Sequence, residues 1–260
     1  MSSSRICTNC QAVVPDGHHF CGRCGAQFHE NGQVPENETL YFGAMMVPGR
    51  AKLILIKGEG LEGLSYHLNA TEHLAGSGNG VVLFPDDGYL SKRHATFLYR
   101  DNVLYLRDEN SQNRTYLRIR EPKQLQDGDI IRVGEQVLQV EFLDIQSEYP
   151  MKEDTLMYVS PPQDFKFRLV HLIDGAKAGA SYCSVNNDLL VGREGCDVSF
   201  PKDRHVSPKH ARVFWNNGAV MLEDMGSKNG TYLNTRGEER LSHGDYVQVG
   251  SELLRVEINE

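Results

Sequence analysis

One set of residues occurs twice in this chain at a single offset. Ser91 and Ser207, His94 and His210, Asn113 and Asn229, and Thr115 and Thr231 all stand 116 positions apart. The same interval separates Gly76 from Gly192, Gly128 from Gly244, Asp129 from Asp245 and Gly134 from Gly250. Self-similarity at a fixed period means one structural unit built twice, and a unit of about 100 residues can bury its own core. The boundaries that follow are residues 48–146 for the first unit and 164–260 for the second. Linkers at 29–47 and 147–163 and an N-terminal segment at 1–28 complete the chain. The copies differ at two telling places: Arg193 aligns with Ser77, and Gly230 with Arg114.

Each unit reads as short strands. Phe165 to Ile173 alternates apolar and polar residues, as a half-buried strand requires. Residues 188–191, 211–215, 219–223, 245–249 and 252–258 continue the pattern, and Asn216-Asn217-Gly218 is a hairpin signal. The first unit repeats this at 53–56, 96–99, 103–106 and 137–140, with Arg100-Asp101-Asn102 as its turn. No amphipathic helix is evident. The expectation is an all-β chain of two sandwiches in tandem.

The front of the chain carries Cys7-x2-Cys10 and Cys21-x2-Cys24. Two residues between thiols let both sulfurs reach one tetrahedral ion. Four thiolates favour Zn2+, and metal binding would supply roughly 10–16 kcal/mol of folding energy to a segment too short to fold alone. A zinc ribbon over residues 1–28 is therefore expected. It serves either as a structural cap or as a docking module for nucleic acid or protein. Cys183 and Cys196 have no counterparts in the first unit and read as ordinary thiols.

Net charge is −8, which argues against a broad nucleic-acid-binding face. No apolar run approaches the ~20 residues of a membrane span. No apolar signal region follows Met1, so a cytoplasmic protein without membrane contact is expected. Nucleophile-elbow, phosphate-loop and kinase signatures are missing, so the chain reads as a non-enzyme.

Gly192-Arg193, Ser207-x-x-His210 and Asn229-Gly230-Thr231 together resemble the forkhead-associated (FHA) domain. The resemblance covers almost all of both units, and it implies phosphothreonine binding. Arg193 would offer its donor fork to the phosphate, Ser207 its hydroxyl, and Asn229 an amide to grip the peptide backbone. Gly192, His210, Gly230 and Thr231 would support the loops, with His210 buttressing the one that carries Ser207. Arg204 and His205 stand where the family often reads the third residue after phosphothreonine. In the first unit Ser77, Ser91, His94 and Asn113 are the equivalents. Ser77 carries no charge, so that site is degenerate, a spacer or interaction surface, with Lys92 or Arg93 as substitutes for the missing arginine.

The resemblance implies a signalling adaptor that binds a phosphothreonine-containing protein, a serine/threonine kinase or its target, through the second unit. The alternative is a regulator that docks through its zinc ribbon, with the FHA units as scaffolds. Thr39 and Thr155, also 116 apart, follow acidic residues in the linkers. Both are candidate phosphorylation sites, and a phosphorylated linker could bind Arg193 and Ser207 within the chain or in another copy.

Overall fold

Alternating side chains drive nearly all of this chain into strands. The computed structural model describes residues 4–7, 13–15, 50–58, 62–78, 80–143, 155 and 163–259. Cys10, Cys21, Cys24 and Thr39 lie outside the described residues. Strands β1 (Ser4–Ile6) and β2 (Val13–Pro15) pair as an antiparallel hairpin, with Arg5 opposite Val14. The first repeat supplies β3 (Ala51–Lys57), β4 (Ser65–Leu68), β5 (Glu72–Gly76), β6 (Val82–Leu83), β7 (Ala95–Arg100), β8 (Val103–Asp108), β9 (Thr115–Arg118), β10 (Lys123–Gln124), β11 (Ile130–Val133) and β12 (Gln136–Phe142). The second supplies β13 (Phe167–Ile173), β14 (Lys177–Tyr182), β15 (Asp188–Gly192), β16 (Val198–Ser199), β17 (Ala211–Asn216), β18 (Ala219–Asp224), β19 (Thr231–Asn234), β20 (Glu238–Arg240), β21 (Tyr246–Val249) and β22 (Glu252–Ile258).

The all-β expectation holds. A three-residue 3-10 turn at Asp174–Ala176 is the one helical element among the described residues. None of their helices is long and apolar enough to cross a membrane. Both hairpin signals form as read. Asn217 and Gly218 take φ of +48° and +88°, and Asp101 and Asn102 take +49° and +62°. Positive φ at both central residues matches the turn to the twist of the flanking strands.

The packing units, however, cross the repeat boundaries. One unit gathers the described residues of Met1–Asn113, Gly237–Asp245 and Val249–Glu260. The other gathers Arg114–Arg236 with Tyr246–Gln248. Each sandwich thus takes its early strands from one repeat and its late strands from the other. In the first unit, β3 pairs with β22 and β4, while β8 pairs with β20 and β7. In the second, β13 pairs with β12 and β14, and β18 pairs with β10 and β17. The second unit's core shows the exchange directly. Leu125, Ile131, Leu138 and Val140 of the first repeat pack with Phe167, Leu169, Val213 and Leu222 of the second.

The exchange begins where the two copies of one strand meet. β9 and β19 pair antiparallel with Leu117 opposite Leu233, two residues that are themselves 116 apart. The Thr235 N–H donates to the Thr115 carbonyl at 2.9 Å, and the Ile119 N–H to the Thr231 carbonyl at 3.0 Å. Those two bonds are images of each other under the repeat, so this seam has local two-fold symmetry.

Candidate functional site

The second unit assembles its loop set at the ends of β15, β17 and β18. Gly192 closes β15 where an added Cβ would come 2.1 Å from the Pro208 carbonyl oxygen, so the chain passes this point only as glycine. Next to it, the Arg193 N–H donates to the Ser207 carbonyl at 2.9 Å, which ties the two loops together. The Arg193 side chain is one-third exposed at 34%, and its Nε lies 3.5 Å from the Glu194 carboxylate.

His210 is fully buried and organises the rest. Its Nδ1 accepts the Ser207 N–H at 3.0 Å. That assignment leaves the proton on Nε2, which donates to the Gly230 carbonyl at 3.0 Å. Burial pushes the imidazole below its ordinary pKa, so the neutral ring that both bonds need is favoured. The Ser207 hydroxyl oxygen accepts the Lys228 N–H at 3.1 Å, leaving its proton to donate outward. Asn229 donates its amide to the His205 carbonyl at 2.8 Å while its residue stays exposed.

Below this surface the Asp224 carboxylate accepts the hydroxyls of Ser227 and Thr231, each at 2.6 Å. Burial alone would raise its pKa, but these two hydroxyls and the Ser227 N–H outweigh that and hold it low. Thr231 is therefore a buried anchor. Lys209 and Lys228 are exposed at the rim. The arrangement ties together the loops that carry a guanidinium, a hydroxyl and an amide. Among side chains, that set suits a phosphorylated residue in an extended peptide.

One participant was invisible to a repeat-by-repeat reading. Arg118, from the first repeat, lies against the loop. An added Cβ on Gly230 would stand 2.2 Å from its Nε. Gly230 also takes φ of +85°, the left-handed conformation that favours glycine, whereas the flexible end of Arg118 could shift. The exchange alone brings Arg118 here, and no signal in either repeat points to it.

The first unit builds the same loops. The Ser77 N–H donates to the Ser91 carbonyl at 3.1 Å, and the Ser91 N–H to His94 Nδ1 at 3.1 Å. The Ser91 hydroxyl oxygen accepts the Gln112 N–H at 3.1 Å, and the Asn113 amide donates to the Tyr89 carbonyl at 2.8 Å. Ser77 does not act as a cation or as an outward donor, because its hydroxyl is bonded to the Leu90 carbonyl at 2.8 Å. Arg114, at the position of Gly230, is exposed and adopts φ of +62°. At the front of the chain, Cys7 is buried just after β1, and Thr155 in the second linker is exposed.

The FHA domain family matches the chain at residues 74–134 and again at 189–250. The oxoglutarate dehydrogenase inhibitor of Corynebacterium diphtheriae is 38% identical over 78 residues, covering 29% of this chain and 54% of that protein. The FHA domain-containing protein FhaB of Mycolicibacterium smegmatis is 34% identical over 67 residues, covering 26% of this chain and 43% of that protein. The chain thus spans about half the length of these curated relatives. A structure described as an analysis of phosphothreonine-dependent FHA domain interactions overlays with a TM-score of 0.32 at 13% identity, covering 81% of this chain and 98% of that one.

Proposed function

We propose that this FHA-domain protein is a non-enzymatic signalling adaptor that binds a phosphothreonine-containing partner through Arg193, Ser207 and Asn229. The observation that carries the reading is that the loops bearing those three residues are tied to one another and locked by buried His210. The partner would be a serine/threonine kinase or its target. The phosphate, at about −1.5 to −2 charge, would displace Glu194 from Arg193 and take the Ser207 hydroxyl proton. Asn229 would hold the adjoining peptide backbone. Exposed Thr155 and its counterpart Thr39 are candidate self-ligands once phosphorylated.

Calorimetric titration of the phosphatase-treated protein against a phosphothreonine peptide pool and its unphosphorylated twin tests this. Phosphate-dependent binding should fall roughly 10- to 150-fold in Arg193→Ala, the loss of a charge-assisted bond of about 1.5–3 kcal/mol. Binding indifferent to phosphate, or to Arg193 and Ser207 alike, would refute it.

Cys7, Cys10, Cys21 and Cys24 would hold a structural Zn2+ in this reading. Buried Cys7, leaving β1 beside its hairpin partner β2, fits a thiolate turned inward to an ion. One equivalent of zinc released by thiol modification, and lost from Cys7→Ser, would support it. A protein that purifies metal-free and still melts cooperatively over the N-terminal segment would count against it.

A further inference from the structure

We infer that the first unit carries an acid-sensitive switch. Protonation of the buried His73 ring opens the strands around it, whatever the loops bind, while the second unit holds Leu189 at the same place and lacks that trigger.

His73 and Leu189 stand 116 positions apart, and both are buried, at 3% and 1% exposure. Leu189 packs in its unit's apolar core. His73 sits opposite fully buried Phe97 in the pairing of β5 with β7. Its Nε2 accepts the Ala70 N–H at 3.0 Å, within the turn that joins β4 to β5. The ring proton is therefore on Nδ1, which has no hydrogen-bond partner among the described residues. An unpaired buried donor already costs stability that leucine would not. A second proton would enter at Nε2 and remove the acceptor of the Ala70 N–H.

The surroundings oppose that proton. Arg50, just before β3, is the charged group that acts on the ring, and among the described residues no carboxylate offsets it. Tyr99, from β7, lies under the Arg50 guanidinium at 4.6 Å, and burial raises the pKa of its hydroxyl, so it stays neutral. Glu72, next to His73 on β5, is exposed. Burial first and Arg50 second push the imidazole below its ordinary 6.5, against the pull of the Phe97 carbonyl. The unfolded ring titrates near the ordinary value. Closure is therefore fully favoured above about pH 6.5 and weakens as pH falls toward the depressed folded value. The same residues hold three segments together. The Tyr99 hydroxyl accepts the Ala51 N–H at 2.8 Å, and its N–H donates to the Thr71 carbonyl at 2.9 Å. Ala51 pairs with Ile258, and the Asn259 N–H donates to the Arg50 carbonyl at 2.8 Å. Opening at His73 thus loosens the start of β3 and, with it, the end of β22.

Amide hydrogen exchange of the full chain at about pH 7.5 and about pH 5.5, corrected for the intrinsic pH dependence of exchange, tests this. Segments of β5 and β7 are compared with those of β15 and β17. Buried His94 and His210 occupy equivalent places in the two units, so their titration is common to both. On acidification the opening constant of β5 and β7 should rise up to about tenfold more than that of β15 and β17. His73→Leu should abolish this excess, and Arg50→Met should reduce it. An equal rise in both units overturns the inference, as does an excess that survives in folded His73→Leu. If His73→Leu does not fold, the ring resonances of His73 in the unmodified chain decide. A ring that stays neutral to a pH below 6.5, beside the excess, upholds the switch, and protonation at or above 6.5 in the folded protein overturns it.

Discussion

The carboxylate of Asp203, in the second repeat, accepts the backbone N–H of Glu135, in the first, at 2.9 Å. Its image under the repeat is present too: Asp87, in the first, accepts the N–H of Ser251, in the second, at 2.8 Å. Asp203 also receives the Gln136 amide at 2.7 Å and the His205 N–H at 2.8 Å. A hairpin of one repeat is therefore latched beneath the loop in which the other carries Ser207 or Ser91. Two reciprocal latches define the exchange.

That exchange can be read covalently. Lys52 forms an ion pair with Glu257 at 3.0 Å, and Glu141 pairs with Arg168 at 2.6 Å. If each repeat closed on itself, Lys52 would face Glu141 instead. Cysteines placed by Lys52→Cys and Glu257→Cys should form an intrachain disulfide on mild oxidation, since directly paired strand residues lie within bridging distance. Lys52→Cys with Glu141→Cys should not. Peptide mapping of the oxidised protein distinguishes the two, and the reverse result would mean that each repeat closes on itself.

Glu238 should help choose between these arrangements. It binds Arg100 at 2.6 Å and Arg107 at 3.3 Å, both from the first repeat. The residues equivalent to those arginines are Asn216 and Glu223, so in self-closed repeats Glu238 would meet a like charge. Glu238→Lys should lower the melting temperature by a few degrees, and raising salt should shrink the difference. Scanning calorimetry at low and high ionic strength measures both.

Gly230→Ala should cost about 1–3 kcal/mol, chiefly because the new side chain is forced to a left-handed backbone, with a smaller part from displacing the flexible end of Arg118. Pairing it with Arg118→Ala should recover the steric part and leave the backbone part. A denaturant-unfolding cycle of the four proteins separates them. Phosphopeptide binding should suffer in Gly230→Ala, because Asn229 precedes the distorted residue.

Stability should decline with acid through His210. Its folded pKa lies below the ordinary 6.5, chiefly from burial. The unfolded chain therefore takes up the proton first. The stabilisation is fully present above about pH 6.5 and is lost as pH falls toward the depressed folded value. Protonating Nδ1 would also remove the acceptor of the Ser207 N–H, so loop order and stability should fall together. Ring resonances of His210 followed by NMR should stay neutral to a pH below the ordinary imidazole value of 6.5. Protonation of His210 at or above its ordinary pKa without loss of stability would contradict this account.

Strands, turns and the loop residues were legible because each depends on local pattern. Alternation put Leu169 and Val213 inside, and Asn217-Gly218 set a turn. The serine, histidine and asparagine of each loop set converge as their spacing implied. The choice of partner strand was not legible, and the reason is physical. β12 and β22 turn the same pair inward, Leu138 and Val140 in one, Leu254 and Val256 in the other. Either could complete either sheet with equal apolar burial, and even their ion pairs are interchangeable. Glu238 breaks that degeneracy, but its significance appears only when Arg100 and Arg107 are seen beside it. Arg118 was missed for the same reason.

The nested order of the chain carries a cost in time. The first sandwich cannot complete β3 with β22 or β8 with β20 until the final strands exist, and residues 114–236 intervene. At a synthesis rate of about 5–20 residues per second, the open edge of β8 waits roughly 6–25 s on the ribosome for β20, and that of β3 longer for β22. The inner sandwich, contiguous over Arg114–Arg236, can pair those strands in that interval and then takes Tyr246–Gln248 as well. Assembly is thereby staged, with the loops around Arg193 built on a largely contiguous stretch while the loops around Ser91 sit on a sandwich still open at β3 and β8.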